Sequence, residues 1–390
     1  MPLMETKGAH SGWAAFSRRG FLTALGGLAT ASAFSGSPLA ASLLEQNAGD
    51  DARLFASAYK LADGSFGIGL LDDYGQVLGR ITLPGRGHGI AVSPDRRRFV
   101  AFARRPGTFA LLVRPFEDVE PLALVSEPGR HFYGHGVYSS DGRLLYAVEN
   151  DFEAVRGVIG VYDVSGHLAH RIGEIPTHGI GPHDIALSAD GRTLVVANGG
   201  IEAHPERARK KLNLDTMQPS VVFVDAAGGD LVARHQLDAS LHQLSLRHMA
   251  LDQKGQAWVG GQYEGPSSDV PPLVAVFTPD DMPRTTEIPG VFAGKLENYI
   301  GSVAANRAGD VIATSAPRGG HTLFWNAETG AFLGAQTIPD GCGVAPADQG
   351  SFLISDGNGG VSYVVEPGAQ TEILSRPPGF SWDNHLIAIS

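Results

Sequence analysis

A short phrase recurs along this chain, and its clearest copies set histidine at the same register: GHGIAVSPDRR at His88, GHGVYSSDGR at His135 and GPHDIALSADGR at His183. NHLIAIS repeats it at the C-terminus with His385. Weaker copies fill the interval: LRHMALDQKG with Arg247 and the adjoining His248, GSVAANRAGD at Gly301, and GCGVAPADQG at Cys342. Copies spaced by about 40 to 65 residues, each followed by several short strand-like runs, are the mark of a WD40/YVTN-like β-propeller. A residue type that recurs at one register must then recur around one axis.

The third copy shows what a single repeat holds. Ile185-Ala186-Leu187-Ser188 reads as a short strand, Ala189-Asp190-Gly191-Arg192 as a tight turn, and Thr193 to Ala197 as a second strand. Ser220 to Asp225 and Leu231 to Gln236 supply a third and a fourth. Seven copies predict seven inner strands, but the last is followed by too little chain to complete its blade. The missing strands must come from the N-terminus, where Leu54 to Lys60, Ser65 to Asp72 and Val77 to Leu83 provide three strand-like runs. The expected fold is therefore all-β, a seven-bladed propeller over residues 43–390. Pairing N-terminal strands with the C-terminal inner strand closes it and removes open edges.

Residues 1–42 read as an export segment. Ser17-Arg18-Arg19-Gly20-Phe21-Leu22 is a twin-arginine motif, followed by a weakly apolar, small-residue stretch and plausible cleavage positions between Ala33 and Ser42. That stretch is too short and too rich in Gly, Ala and Ser for a stable membrane span. The expectation is a protein carried by the Tat machinery to the periplasm and left without a membrane anchor. Loss of the segment removes Lys7, Arg18, Arg19 and Glu5, leaving a net charge of about −13, which repels nucleic acid. Cys342 is the single cysteine, so no intramolecular disulfide forms.

In a propeller each inner strand begins at one face of the central channel, and the second strand returns to that face. This geometry gathers His88, His135, His183, Arg247, Gly301, Cys342 and His385 into one funnel with residues that follow second strands. Those are Arg104 and Arg105, then Glu149, Asn150 and Asp151, Asn198, Gln262, Tyr263 and Glu264, Arg318, and Asp356. His131, His178, His204, His242 and His321 map to the same face. Imidazoles with carboxylates such as Glu149 suit iron, copper or zinc, and a Cys342 thiolate would favour zinc or copper. His88, His135, His183 and His385 are the candidate metal ligands. The competing role is structural, a histidine hydrogen-bonding neighbouring turns and stapling each blade. Opposite blades of a seven-fold ring are expected to stand too far apart to share an ion, which favours neighbours around the ring.

The blade-three insertion, residues 199–220, carries Arg207, Arg209, Lys210 and Lys211, a dense basic cluster in an acidic chain. A loop of this length reads as a lid, a partner contact or a solvated segment. The Asp-Gly pairs at Asp141 and Asp190 read as hairpin turns, since the spacing of a calcium loop is missing.

SRRGFL, the HGxxxS phrases at His88 and His135, and GPHDIALSADGRTLVVANGG together resemble a family of Tat-exported bacterial propellers, domain of unknown function 1513. Their genes tend to lie near imelysin-like periplasmic proteins and a di-haem oxidoreductase-like protein. The resemblance spans the whole mature chain. It implies periplasmic handling of iron or another metal, with imelysin-like or redox proteins as partners, and supplies no catalytic residues. Three functional classes stay open. One is a non-catalytic protein that binds a metal ion, a metal chelate or a protein partner at the funnel. The second is a lactonase-like or quinoprotein-like enzyme acting on a small polar substrate. The third is a docking scaffold that uses its rim loops.

Overall fold

The computed structural model describes residues 53–207 and 210–390; the export segment read at residues 1–42, and Arg209 of the basic loop, lie outside them. Seven four-stranded antiparallel sheets make up the described chain. Six of them use consecutive strands. The seventh sets the C-terminal strand Phe380–Ala388 beside Phe55–Leu61, Phe66–Leu71 and Val77–Leu83, the predicted closure by both chain ends. The inner strands, one per blade, are Gly87–Val92, Arg130–Tyr138, Pro182–Leu187, Leu244–Leu251, Ser302–Ala305, Gly341–Pro346 and Phe380–Ala388. Each packs on its successor and the last on the first, so the ring is a seven-bladed β-propeller. Among the described residues no helix is long and apolar enough to cross a membrane.

Apolar side chains facing the next blade form the core. Trp258 packs with Ile300, Leu323 and Trp325 between the fourth and fifth blades, and Phe102 with Phe132 and Tyr162 between the first and second. At the closure, Phe55 pairs with Ala388 and Ser57 with Leu386. Tyr59, Phe380 and Trp382 then cluster with ring centroids 4.8 to 6.2 Å apart.

The tail of the recurrent phrase is a hairpin lock. In SxDG the serine hydroxyl donates to the aspartate two residues on, at 2.5 Å for Ser93 and 2.6 Å for Ser139 and Ser188. That aspartate accepts from the backbone N–H of Arg97, Arg143 or Arg192. Between them the chain turns through positive φ, where Gly142 and Gly191 fit without strain; in the first copy Arg96 occupies the position at φ 57°.

Candidate metal centre

Inner strands begin at the channel, and here the ladder is repeatedly broken. Register shifts interrupt pairing between Gly87 and Ile90, Phe132 and Gly136, Pro182 and Asp184, and Leu246 and Met249, and opposite residues 383–385 in the closing blade. Each interruption is a β-bulge, which turns a side chain out of the alternating pattern of the sheet. His88, His135, His183, His248 and His385 all sit in one. A bulge at Gly341 and Gly343 presents Cys342, whereas Ser302–Ala305 pairs without interruption and presents no histidine.

The consequence is convergence on the axis. The ring of His88 lies 4.9 Å from His135 and 4.7 Å from His385, and His248 lies 4.6 Å from His183 and 4.7 Å from His385. His135 and His385 stand two blades apart around the ring, yet their centroids are only 4.6 Å apart. His88 and His248, nearly opposite on the ring, are 5.9 Å apart, so the expectation that opposite blades stand too far apart does not hold at the axis. His88, His135, His248 and His385 each offer a ring nitrogen, and the four atoms lie within 4.8 Å of one another. Ligands around one tetrahedral ion at ~2.1 Å stand ~3.4 Å apart, so the group closes on a metal by side-chain shifts of up to ~0.7 Å. His183 belongs to the cluster but not to that set of four. His248, one residue from the Arg247 register, takes the fourth place.

Close approach requires small neighbours. Gly134 has φ 105°, and a Cβ there would lie 2.7 Å from the His88 ring. Its backbone conformation and its position against the imidazole both demand glycine.

Two carboxylates orient two of the rings, each across a blade boundary. Asp383 of the closing blade accepts from Nδ1 of His88 at 3.2 Å, and a carboxylate oxygen of Asp184 in the third blade lies 3.1 Å from Nδ1 of His135. A carboxylate only accepts, so the His88 imidazole carries its proton on Nδ1 and turns its Nε2 lone pair away from it. Asp184 is itself fixed by the backbone N–H groups of Ile185 and Met249. Burial pushes the Asp383 carboxyl up, but the His88 hydrogen bond and the Arg104 and Arg86 charges outweigh it and hold it well below the usual carboxylate range.

The other three imidazoles make no side-chain hydrogen bond within the described residues. Nδ1 of His183, Nδ1 of His248 and Nε2 of His385 are buried and unpartnered, as is Nε2 of His135. Burial lowers the pKa of His88 to about 4 and that of His183, His248 and His385 well below the ordinary value, with neighbouring histidines adding to the shift in all four. Neutral imidazole is the ligating form.

The cluster floors a cavity of about 400 Å³, lined in part by His88, His183, His248, His131 and His204. Arg105, Arg247 and Arg318 line it too, with Arg105 stacked on Tyr133 and Arg318 on Tyr299. Burial, then the Arg105 charge, lowers the pKa of Arg247 to about 10. The blade-three loop covers one side through Ile201, Ala203, His204, Pro205, Lys210 and Lys211. Asn213 holds it by donating to Gly200 and accepting from the Glu202 N–H, and Asn150 by donating to Ala203.

Several residues expected at the funnel lie elsewhere. Glu149 is fully buried within blade two, accepting from Tyr162 at 2.5 Å and pairing with Arg171 at 3.0 Å, and it does not line the cavity. Asp151 pairs with Arg130 and Arg156. Asn198 donates to Thr177 and Ser220, the stapling role. Tyr263 donates to Asp269, and Glu264 stands behind the wall, paired with Arg247 and Lys211. Asp356 caps a turn through the N–H groups of Asn358 and Gly360. Cys342 packs with Phe55, Leu353 and Trp382, and burial raises its thiol pKa far above the range in which a thiolate forms. Of the remaining histidines, His321 packs on Phe292, and Nδ1 of His242 lies against the Ala239 carbonyl.

The family model described as "Protein of unknown function (DUF1513)" matches residues 81–389, and the chain belongs to that family. No curated protein matches the sequence. Among solved structures, hydrazine synthase of Kuenenia stuttgartiensis is similar, with TM-score 0.57 and 14% identity over 78% of this chain and 93% of that one. The β-propeller domain of Myceliophteria_thermophila Cps50 (Swd1) is similar at TM-score 0.53 and 11% identity, covering 75% and 89% of the two chains. A chain of a mitotic checkpoint complex gives 0.51 and 12%, covering 76% and 89%. At these identities the likeness concerns the fold alone.

Proposed function

We propose that this member of the DUF1513 family binds a transition-metal ion on the propeller axis through His88, His135, His248 and His385. One observation carries the reading. A stapling histidine hydrogen-bonds the turns beside it, whereas among the described residues His183, His248 and His385 bond nothing through their rings, His88 bonds only an orienting carboxylate, and His135 lies beside one. Leaving a buried polar atom unpaired costs about 1–3 kcal/mol, so four such nitrogens in one cluster call for a partner outside the chain. An all-imidazole donor set suits zinc, copper, iron or nickel, and the buried Cys342 takes no part. Acid–base catalysis of the lactonase-like kind is less well served, because burial keeps His88, His183, His248 and His385 neutral well below the ordinary imidazole range.

The same proposal sets the protein in the periplasm, exported through the Arg18-Arg19 motif and serving iron or other metal handling beside imelysin-like or redox partners. Arg18→Lys with Arg19→Lys is expected to remove it from the periplasmic fraction. The metal site is tested by stripping the purified protein with chelator and titrating zinc(II), copper(II), iron(II) and cobalt(II). One equivalent of ion is expected, with cobalt giving the visible spectrum of a nitrogen-ligated site. His135→Ala with His385→Ala should abolish both. A stripped protein that takes up none of these ions, or a double variant that binds as wild type does, overturns the reading.

A further inference from the structure

The wall above the histidines carries a charge imbalance that the metal site does not account for. Among the described residues seven cationic side chains line the cavity, and the chain as a whole has a net charge of −11. Arg86 and Arg104 share Asp383, while Arg247 and Lys211 share Glu264. Asp340 is the one carboxylate among the lining residues. Arg105, Lys210 and Arg318 face the same space, and among the described residues none of the three has a carboxylate within ion-pair distance. Two of them are fixed in place all the same. The guanidinium of Arg105 lies 5.3 Å from the Tyr133 ring centroid and, among the described residues, donates only to the Tyr133 hydroxyl at 3.2 Å; that of Arg318 lies 4.7 Å over Tyr299. Stacking spends the faces of these groups and leaves N–H edges for a planar or tetrahedral oxyanion. Cations crowded in a concave, partly desolvated space repel one another until an anion enters.

We infer that the funnel binds a small multivalent oxyanion, held by Arg105, Arg318 and Lys210 within the cavity whose floor is the histidine cluster. The inference rests on the metal reading only in its last step, that anion and ion are held together, so that the cargo is an anionic metal chelate. A 400 Å³ cavity accommodates a tricarboxylate or a pyrophosphate, and both present the acidic oxygens that arginine forks take.

Calorimetric titration of the stripped protein with citrate and with pyrophosphate tests this, repeated on zinc-loaded protein and at raised salt. Binding is expected without metal, weakening as salt screens the charges. Tighter citrate binding assigns a carboxylate ligand, tighter pyrophosphate a phosphate ligand, and either supports the site. Arg105→Gln with Arg318→Gln should lower anion affinity at least tenfold while zinc uptake stays intact, which also shows that the variant folds. Lys210→Gln, on the exposed side of the cavity, should give a smaller loss of the same sign. His135→Ala should lose zinc and keep the anion, so failure of the metal reading is distinguished from failure of this one. Absence of citrate and pyrophosphate binding at millimolar concentration, or equal binding by uncharged glucitol, overturns the inference.

Discussion

Replacing His248 with leucine separates a ligand from a staple in one measurement. His248 is 2% exposed, has no hydrogen bond from its ring among the described residues, and is surrounded by the imidazoles of His88, His135, His183 and His385. Its buried, unpartnered Nδ1 carries a cost of about 1–3 kcal/mol in the metal-free protein. Leucine has a similar volume, and an imperfect fit among the rings costs on the order of 1 kcal/mol. In chelator, His248→Leu is therefore expected to leave stability unchanged or to raise it by up to about 2 kcal/mol. A staple would behave in the opposite way, since its loss orphans the groups it bonds and lowers stability by about 2–4 kcal/mol. Urea unfolding at constant m-value reads the difference. With zinc at a hundredfold excess over its dissociation constant, wild type should gain about 2.7 kcal/mol and the variant much less. A destabilisation above ~2 kcal/mol in chelator, or a full zinc-dependent gain in the variant, refutes the reasoning.

Asp184→Asn keeps the shape of the carboxylate but removes its charge from His135 Nδ1, and metal affinity measured by chelator competition should fall about 10- to 100-fold. Acidification should destabilise the metal-free protein between pH 6.5 and 4. His88 has its folded-state pKa depressed to about 4, so the unfolded chain takes up the proton first and stability is lost as pH falls. His88 alone accounts for about 3 kcal/mol by pH 4, and chemical denaturation across that window measures it. Arg96→Gly relieves a left-handed backbone position that glycine occupies in the sister repeats, and thermal unfolding should show a gain of about 0.5–1 kcal/mol.

The repeat was legible because hairpin chemistry is local. Serine and aspartate two residues apart, followed by glycine, specify the same lock wherever they occur, and counting the copies fixed the number of blades. The closing blade followed from the copy at His385, which had no chain left to complete it. What escaped was the aim of side chains, because a bulge shifts register by one or two residues without a signature in composition. Arg247 stands where the repeat puts histidine, yet the bulge between Leu246 and Met249 brings its neighbour His248 to the axis. Glu149 shares a channel-facing strand end with Asn150 and turns the other way.

Asp184 and Asp383 were in plain view beside His183 and His385, but adjacency pairs each with the wrong ring. Asp184 serves His135 and Asp383 serves His88. Contacts across a blade boundary depend on how neighbouring sheets twist and pack, which the order of residues within one blade does not state. The sequence by itself thus determined seven blades, their closure, and histidine as the residue to follow, since each rests on local turns and on repetition. The tertiary structure alone decided that five histidines meet on the axis, which carboxylates face two of them, and which described cations in the wall above were left without a carboxylate. Those depend on bulges and blade-to-blade packing, where one ångström or one residue of register changes what a side chain touches.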